Sequence, residues 1–443
     1  MSAPRIRRDR SRAAPRTERE GGSSREVLGN GAVLTSLSLP SVRHVALAVA
    51  VRVGSRHEPA ALGGISHFLE HMLFRGTKEH PTSFAQNFAF ESLGGTLDAA
   101  TSAETTIFSA TVPRDAAPSA LELIAEMFRE PVMAQLELER NVVREELLDA
   151  LDEDDQLVDP DELTAQALFG THPLGHAIGG SVASLGAITE ADLRAWHRTH
   201  YVGANLVIAL AGAVEADTRE AARRSFGHVA AGTRSAPLPF TATEASTRSR
   251  LVHTTGSQVD LRTSFLVPGV RDPRWAAITM LTRILDDGMS ARVFRTMIED
   301  RGLAYEAFGD LDPYSDVSSF SLGAACRPES APEATRALLA LARGAGENIT
   351  DAEMARVRTR VLFEIDLARE SAEANVDLIL GHELDGQTAS LDELAARAAR
   401  VTRSDLEEAA RTMFRREALT VVAVGPLEAK QRKSIRDAAL AWP

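Results

Sequence analysis

His67, Glu70 and His71 stand in the spacing H-x-x-E-H within Ile65-Ser66-His67-Phe68-Leu69-Glu70-His71-Met72-Leu73-Phe74, a pattern able to hold a metal ion and move a proton. At 3.6 residues per turn the two histidines lie one turn apart on one stripe of a helix, with Glu70 beside them, so two ring nitrogens can converge on one ion. Ile65, Leu69 and Met72 occupy a different stripe, flanked by Phe68 and Leu73, which predicts a helix buried on several sides. Glu70 cannot comfortably be a further ligand from its place on that helix. It is well placed to take a proton from a metal-activated water, the task of a general base. A chance H-x-x-E-H in a chain of this composition arises on the order of a few per cent of the time, so the pattern needs a third ligand to carry weight.

That ligand is expected in Leu138-Glu139-Arg140-Asn141-Val142-Val143-Arg144-Glu145-Glu146-Leu147, a strongly helical stretch. Glu139 and Glu146 are seven residues apart on one face, about two turns or roughly 10.5 Å along the axis. One carboxylate can then bind the metal while the other supports the site from further out. Glu146 is assigned as ligand and Glu139 as the supporting group, with Glu145 as the rival ligand. Zinc suits two imidazoles and a carboxylate, with a fourth position left for water, and one ion per chain is expected.

Behind these residues the chain reads as strands and amphipathic helices in alternation. Residues 45–53 are a continuous apolar run ending at Gly54 and predict a buried strand. The histidine helix should stop near Gly76, a helix should cover about 82–93, and the Thr-, Ile-, Phe- and Val-rich stretch 95–113 should form one or two strands. Helices are expected at about 116–128, 134–153 and 189–200, with a strand at 206–211. Residues 229–250 show neither period and read as a linker. Beyond them the pattern restarts: 259–267 mirrors 45–53, and Leu419 mirrors Leu206 at an offset of 213 residues. An internal duplication accounts for this. The expectation is an α+β chain of two like halves, 25–228 and 251–443, each a mostly antiparallel sheet with packed helices. No histidine pair recurs around Trp275 and Leu285, so the halves must differ in role.

With 443 residues there is room for several sizeable cores, and a net charge of −13 argues against a nucleic-acid partner. Cys326 is the single cysteine, which excludes an internal disulfide and a cysteine-based metal cluster. No run reaches the eighteen or so apolar residues of a membrane span. Residues 1–24, rich in Arg, Ser, Pro and Ala, are expected to be disordered. Their acidic residues Asp9, Glu18 and Glu20 weaken a mitochondrial-leader reading, and the scarcity of lysine (Lys78, Lys430, Lys433) beside abundant arginine points to a bacterial, cytoplasmic protein rather than one of the mitochondrial matrix.

The segment 63–77 with its H-x-x-E-H, Leu93-Gly94-Gly95, Thr101, Glu104, Thr106, Glu139-Arg140, Glu146, His172-Pro173-Leu174-Gly175 and Arg301-Gly302-Leu303-Ala304-Tyr305 together resemble the inverted-zincin metallopeptidases of the pitrilysin and insulin-degrading enzyme clan. The similarity is to the short-chain branch that includes the mitochondrial processing peptidase, and it runs from about residue 26 to the C-terminus. The resemblance implies a zinc endopeptidase, each chain forming half of a clam-shell chamber. It further implies that Asp98, Ala99 and Ala100 lie on an edge strand that receives an extended peptide, and that Tyr305, with Arg301 nearby, contacts substrate and can donate to an oxyanion.

Two departures follow from the same comparison. Asp98 stands where many active members have Asn. Ile298 stands where they have an arginine, seven residues before the tyrosine. A homodimer, or a heterodimer whose paralogous subunit brings the arginine–tyrosine pair, is the partner expectation. A non-catalytic, peptide-binding scaffold is the competing class.

Overall fold

The computed structural model describes residues 17–19, 23–241, 248–386 and 390–443. The expected tail, 1–24, lies mostly outside them, at 1–16 and 20–22. Seven strands, β1 (Thr17–Arg19), β2 (Ser23–Val27), β3 (Val33–Ser38), β4 (His44–Val51), β5 (Leu97–Thr101), β6 (Thr106–Pro113) and β7 (Leu206–Gly212), build the first sheet in the order β1-β2-β3-β7-β4-β6-β5. Only the β3–β7 pair is parallel. The second sheet holds β8 (Arg248–His253), β9 (Val259–Pro268), β10 (Glu306–Pro313), β11 (Val317–Cys326) and β12 (Leu419–Gly425) in the order β10-β11-β9-β12-β8. Its only parallel pair is β12–β8. Reversed, the second order reproduces β3-β7-β4-β6-β5 strand for strand, parallel pair included, so the repeat visible in the sequence is a repeat of topology.

The central strands β4 and β7 are covered on both faces, which is why they read as unbroken apolar runs instead of alternating ones. On one face, helices Ile65–Leu73, Ala117–Arg129, Glu190–His200 and Ala216–Gly227 share a core with Val45, Leu47, Val49, Phe108 and Ile208. The other face is covered from the second half: Ala372, Val376 and Leu380 of helix Ala372–Asp385 pack on Ala46, Ala48, Ala50, Ala209 and Ala211, whose small side chains admit a helix at close range. The exchange is reciprocal. Helix Pro160–Phe169 of the first half lays Leu163 on Val252, Val422 and Val424 of the second sheet.

One expected boundary moves. The helix foreseen to 153 is Leu136–Leu148. The Asp152 carboxylate accepts the backbone N–H groups of Asp154 and Gln156, and this local turn competes with helix continuation. Within the expected linker, residues 229–241 carry neither helix nor strand. They are fastened to the first half by Asn205, which exchanges hydrogen bonds with Ser235. β8 begins at Arg248, and 242–247 lie outside the described residues.

Candidate metal centre

Helix Ile65–Leu73 buries Ile65, Phe68, Leu69, Met72 and Leu73 completely, so its orientation is fixed by packing and its polar stripe has one direction left to face. Removing one such side chain, as in Leu69→Ala, typically costs about 2–5 kcal/mol. The helix starts at Gly64, in the left-handed region with φ 88°, where a Cβ would collide with the carbonyl of Gly179. Glycine therefore has no side chain with which to cap, and Glu58 does so from outside: its carboxylate accepts from Gly64 N at 2.7 Å and Ser66 N at 2.8 Å. Glu58 is buried, and burial pushes its carboxyl up to about 7 against the opposing pull of those backbone donors.

His67 and His71 project from one stripe with ring centroids 4.6 Å apart. Glu146 reaches them from helix Leu136–Leu148, its Oε2 lying 3.9 Å from His67 Nε2 and 3.7 Å from His71 Nε2. One ligand atom from each of the three falls within 4.8 Å of the others. Zinc–ligand bonds of about 2.0–2.2 Å in a tetrahedron place ligand atoms roughly 3.4 Å apart, so this donor set fits the ion with side-chain adjustment alone. Burial, aided by His71, holds the His67 imidazole down to about 4, which keeps it the neutral base a metal needs. The Glu146 side chain is 49% exposed, so the cluster opens to solvent. Glu145 is exposed and outside the cluster.

Glu139 is buried and sits one layer back. It bonds His71 Nδ1 at 2.8 Å and contacts the Arg75 guanidinium, so it fixes which face of the imidazole turns to the cluster. Arg140 tacks the same helix down by donating to the carbonyls of Leu185 and Ile188 while lying over the Phe68 ring. Glu70 is buried beside the histidines. Burial raises its carboxyl above the ordinary range, while hydrogen bonds from the Thr101 side chain and main chain, and the His71 charge, oppose the rise. Thr101 closes β5, the edge strand of the sheet, where Asp98 and Ala100 are exposed and Ala99 is half-buried against the core.

The residues expected from the second half do not join this cluster. Tyr305, just before β10, donates its hydroxyl to Gln258. Arg301 is paired with Glu333 at 2.6 Å. Ile298, on a π-helical turn Arg295–Asp300, packs against the second core. Cys326 is buried, which pushes its thiol up to about 12 and leaves it a structural residue.

Three contributors went unread in the sequence. Glu58 acts on the helix from before its start, where no period links it, whereas Arg75 continues the four-residue spacing of His67 and His71 just past the helix end, a signal that could have found it. Arg56, with a wholly buried side chain, bonds Glu104 at 2.6 Å, Asp316 at 2.7 and 2.8 Å, and the Leu238 carbonyl. It joins the β5–β6 turn, the linker and the second half, and partners up to 260 positions away leave no local signal.

Among the described residues, two like halves carry one histidine–carboxylate cluster with the donors to hold a metal ion. The chain belongs to the insulinase family, peptidase family M16. Residues 33–181 match the profile described as Insulinase (Peptidase family M16), and 187–361 match the one described as Peptidase M16 inactive domain. An uncharacterized zinc protease of Streptomyces coelicolor is 31% identical over 432 residues, spanning 94% of this chain and 93% of that relative. Among solved structures, a Helicobacter pylori protease superposes with a TM-score of 0.83 at 23% identity, covering 91% of this chain and 99% of that one. A Pseudomonas fluorescens peptidase M16 inactive domain gives 0.85 at 21%, covering 92% and 99%. These two share the fold with this chain.

Proposed function

We propose that the protein is a zinc-dependent endopeptidase that hydrolyses peptides or unfolded segments, with His67, His71 and Glu146 holding one zinc ion and Glu70 as general base. The observation that carries the reading is the convergence of two imidazoles and a carboxylate within 4.8 Å, with Glu139 bracing one imidazole from behind. The naming of the relatives as zinc proteases supports it. Zinc held there would supply Lewis acidity and make water a better nucleophile at neutral pH. Glu70 accepts the proton of the attacking water and returns it to the leaving amine. A burial-raised carboxyl suits both transfers, being a stronger base than an exposed glutamate. The free side of β5 offers the outward-facing backbone groups of alternate residues within Asp98, Ala99 and Ala100 for pairing with an extended peptide, which reads main chain more than sequence. A cleft of about 1220 Å³, walled by Leu147, Leu151, Leu157 and Leu163, borders the Glu146 helix and has room for side chains.

A second chain is part of the reading. Arg301 is committed to Glu333, and Tyr305 to Gln258, within their own half. A paralogous subunit supplying an arginine–tyrosine pair across a shared chamber accounts for this, and Ile298 then carries no catalytic duty in this chain. The test is metal analysis beside cleavage of a fluorogenic peptide library, with and without added paralogue. The expected result is about one zinc per chain, with hydrolysis lost by a factor of about 10²–10⁴ in Glu70→Gln at unchanged zinc content. Full turnover by Glu70→Gln, or retention of zinc by the double variant His67→Ala/Glu146→Gln, contradicts the assignment.

A further inference from the structure

The base is tied to the strand that would carry the peptide. Thr101 Oγ1 donates to Glu70 Oε2 at 2.5 Å. Among the described residues, the other polar atom within reach of that hydroxyl is Thr106 Oγ1 at 3.4 Å, and Thr106 directs its own proton to the Val53 carbonyl at 3.1 Å. A hydroxyl has one proton to give, and it goes to the carboxylate. Thr101 has little freedom to do otherwise. Its β-branched side chain is stiff at χ1, and its backbone is paired with Thr106 in the last rung of the β5–β6 ladder. The turn beyond it is pinned from the second half, where Ser315 donates twice to Glu104 and Arg56 closes on the same carboxylate.

We propose that Thr101 is the positioning residue of the general base, locking one Glu70 oxygen to the edge strand so that the other faces the water and the base keeps a fixed offset from a peptide aligned on β5. The assignment rests on the endopeptidase reading above. Base and scissile carbonyl are then referenced to one element, and thermal motion of the histidine helix relative to the sheet does not change their separation. Such registration is what converts proximity into rate, and displacements near 1 Å are costly. A side chain of the same shape without a donor would leave Glu70 held by the Thr101 main chain alone, with more freedom to turn away from the water, while leaving β5 able to bind peptide.

Thr101→Val and Thr101→Ser separate the hydroxyl from the shape. Thr101→Val should keep zinc and thermal midpoint, hold KM within about twofold and lose about tenfold to a hundredfold in kcat. Thr101→Ser should recover most of the kcat. An unchanged kcat in Thr101→Val, a loss confined to KM, or equal damage in Thr101→Ser overturns the proposal. Crystal structures of the metal-free variants give a readout independent of turnover: Glu70 should leave its wild-type rotamer in Thr101→Val and keep it in Thr101→Ser. If the wild-type chain with zinc cleaves nothing, either alone or with the added paralogue, the endopeptidase reading fails by itself. The rotamers then still decide whether Thr101 positions Glu70, and an undisturbed Glu70 in Thr101→Val refutes it.

Discussion

Glu58, Glu70, Glu139 and Glu146 gather around one nine-residue helix, and each carboxylate is given different work by what surrounds it. Glu146 is half-exposed and free to ligate, Glu139 is buried against an imidazole and an arginine, and Glu70 is held by a threonine. Glu58 caps the helix and is the one whose protonation the fold most strongly biases. Its folded-state value of about 7 lies above the ordinary carboxylate value of 4.5, so the folded protein binds the proton more tightly than the unfolded chain. Stability from this group is therefore fully present below about pH 4.5 and is lost as the pH rises through 7, a contribution on the order of 1–3 kcal/mol. Unfolding midpoints measured from pH 4.5 to 8 should show this downward component in the wild type and lack it in Glu58→Gln. Identical pH profiles would remove Glu58 from the account. The sequence exposed the histidine pair and Glu70 because one helical turn contains them, and it exposed Glu146 and Glu139 because a seven-residue spacing keeps one face. Glu58 was hidden, since an external cap obeys no helical period.

Among the elements, the β5–β6 turn, the strap at 229–241 and the β10–β11 turn put only scattered apolar side chains, such as Ala103, Val229, Phe240 and Tyr314, on the cores, and Arg56 ties the three together. Its guanidinium serves Glu104, Leu238 and Asp316 at once. Burial alone would lower its pKa, but hydrogen bonds and charge from Asp316 and Glu104 outweigh that, and the net direction is upward. Breaking a buried ion pair by removing one partner costs about 3–5 kcal/mol. Arg56→Met should destabilise by about 3 kcal/mol, since Glu104 and Asp316 are part-exposed and can rehydrate, and should speed proteolysis at 229–241. Denaturant midpoints and cleavage rates equal to the wild type would show that the strap is held some other way. Strands and helices were readable from apolar runs and periods because each element's own residues encode them. The clasp between elements was not, because ion-pair partners far apart in sequence share no pattern.

For the molecule as a whole, the crossed helices make the halves one folding unit. Neither sheet keeps both faces covered without a helix from the other half, so the protein should unfold in a single cooperative transition. Val376→Asp, in the second half, places a carboxylate on the outer face of the first sheet and should lower that transition by on the order of 3–5 kcal/mol. Hydrogen exchange should rise at β4 and β7 together with the rest. Two separate transitions, with β4 and β7 still protected, would mean that the halves are independent. The two-half architecture was legible from the restart of the pattern after 250. The exchange was not, since an amphipathic helix such as Ala372–Asp385 announces that it will be covered without saying by which sheet.

Helices Pro160–Phe169 and Ala372–Asp385 occupy the same place in their halves, each the third α-helix after the strand β6 or β11. A forerunner only one half long would have sent that helix outward and left its own sheet bare on one side. Two such molecules would satisfy each other by trading helices about a two-fold axis, so a half-length chain would be stable only as a pair. Joining the halves in one chain makes that exchange intramolecular and independent of concentration. Among the described residues the first half alone then carries the histidine–carboxylate cluster, while the second contributes a covering helix and the Asp316 end of the clasp.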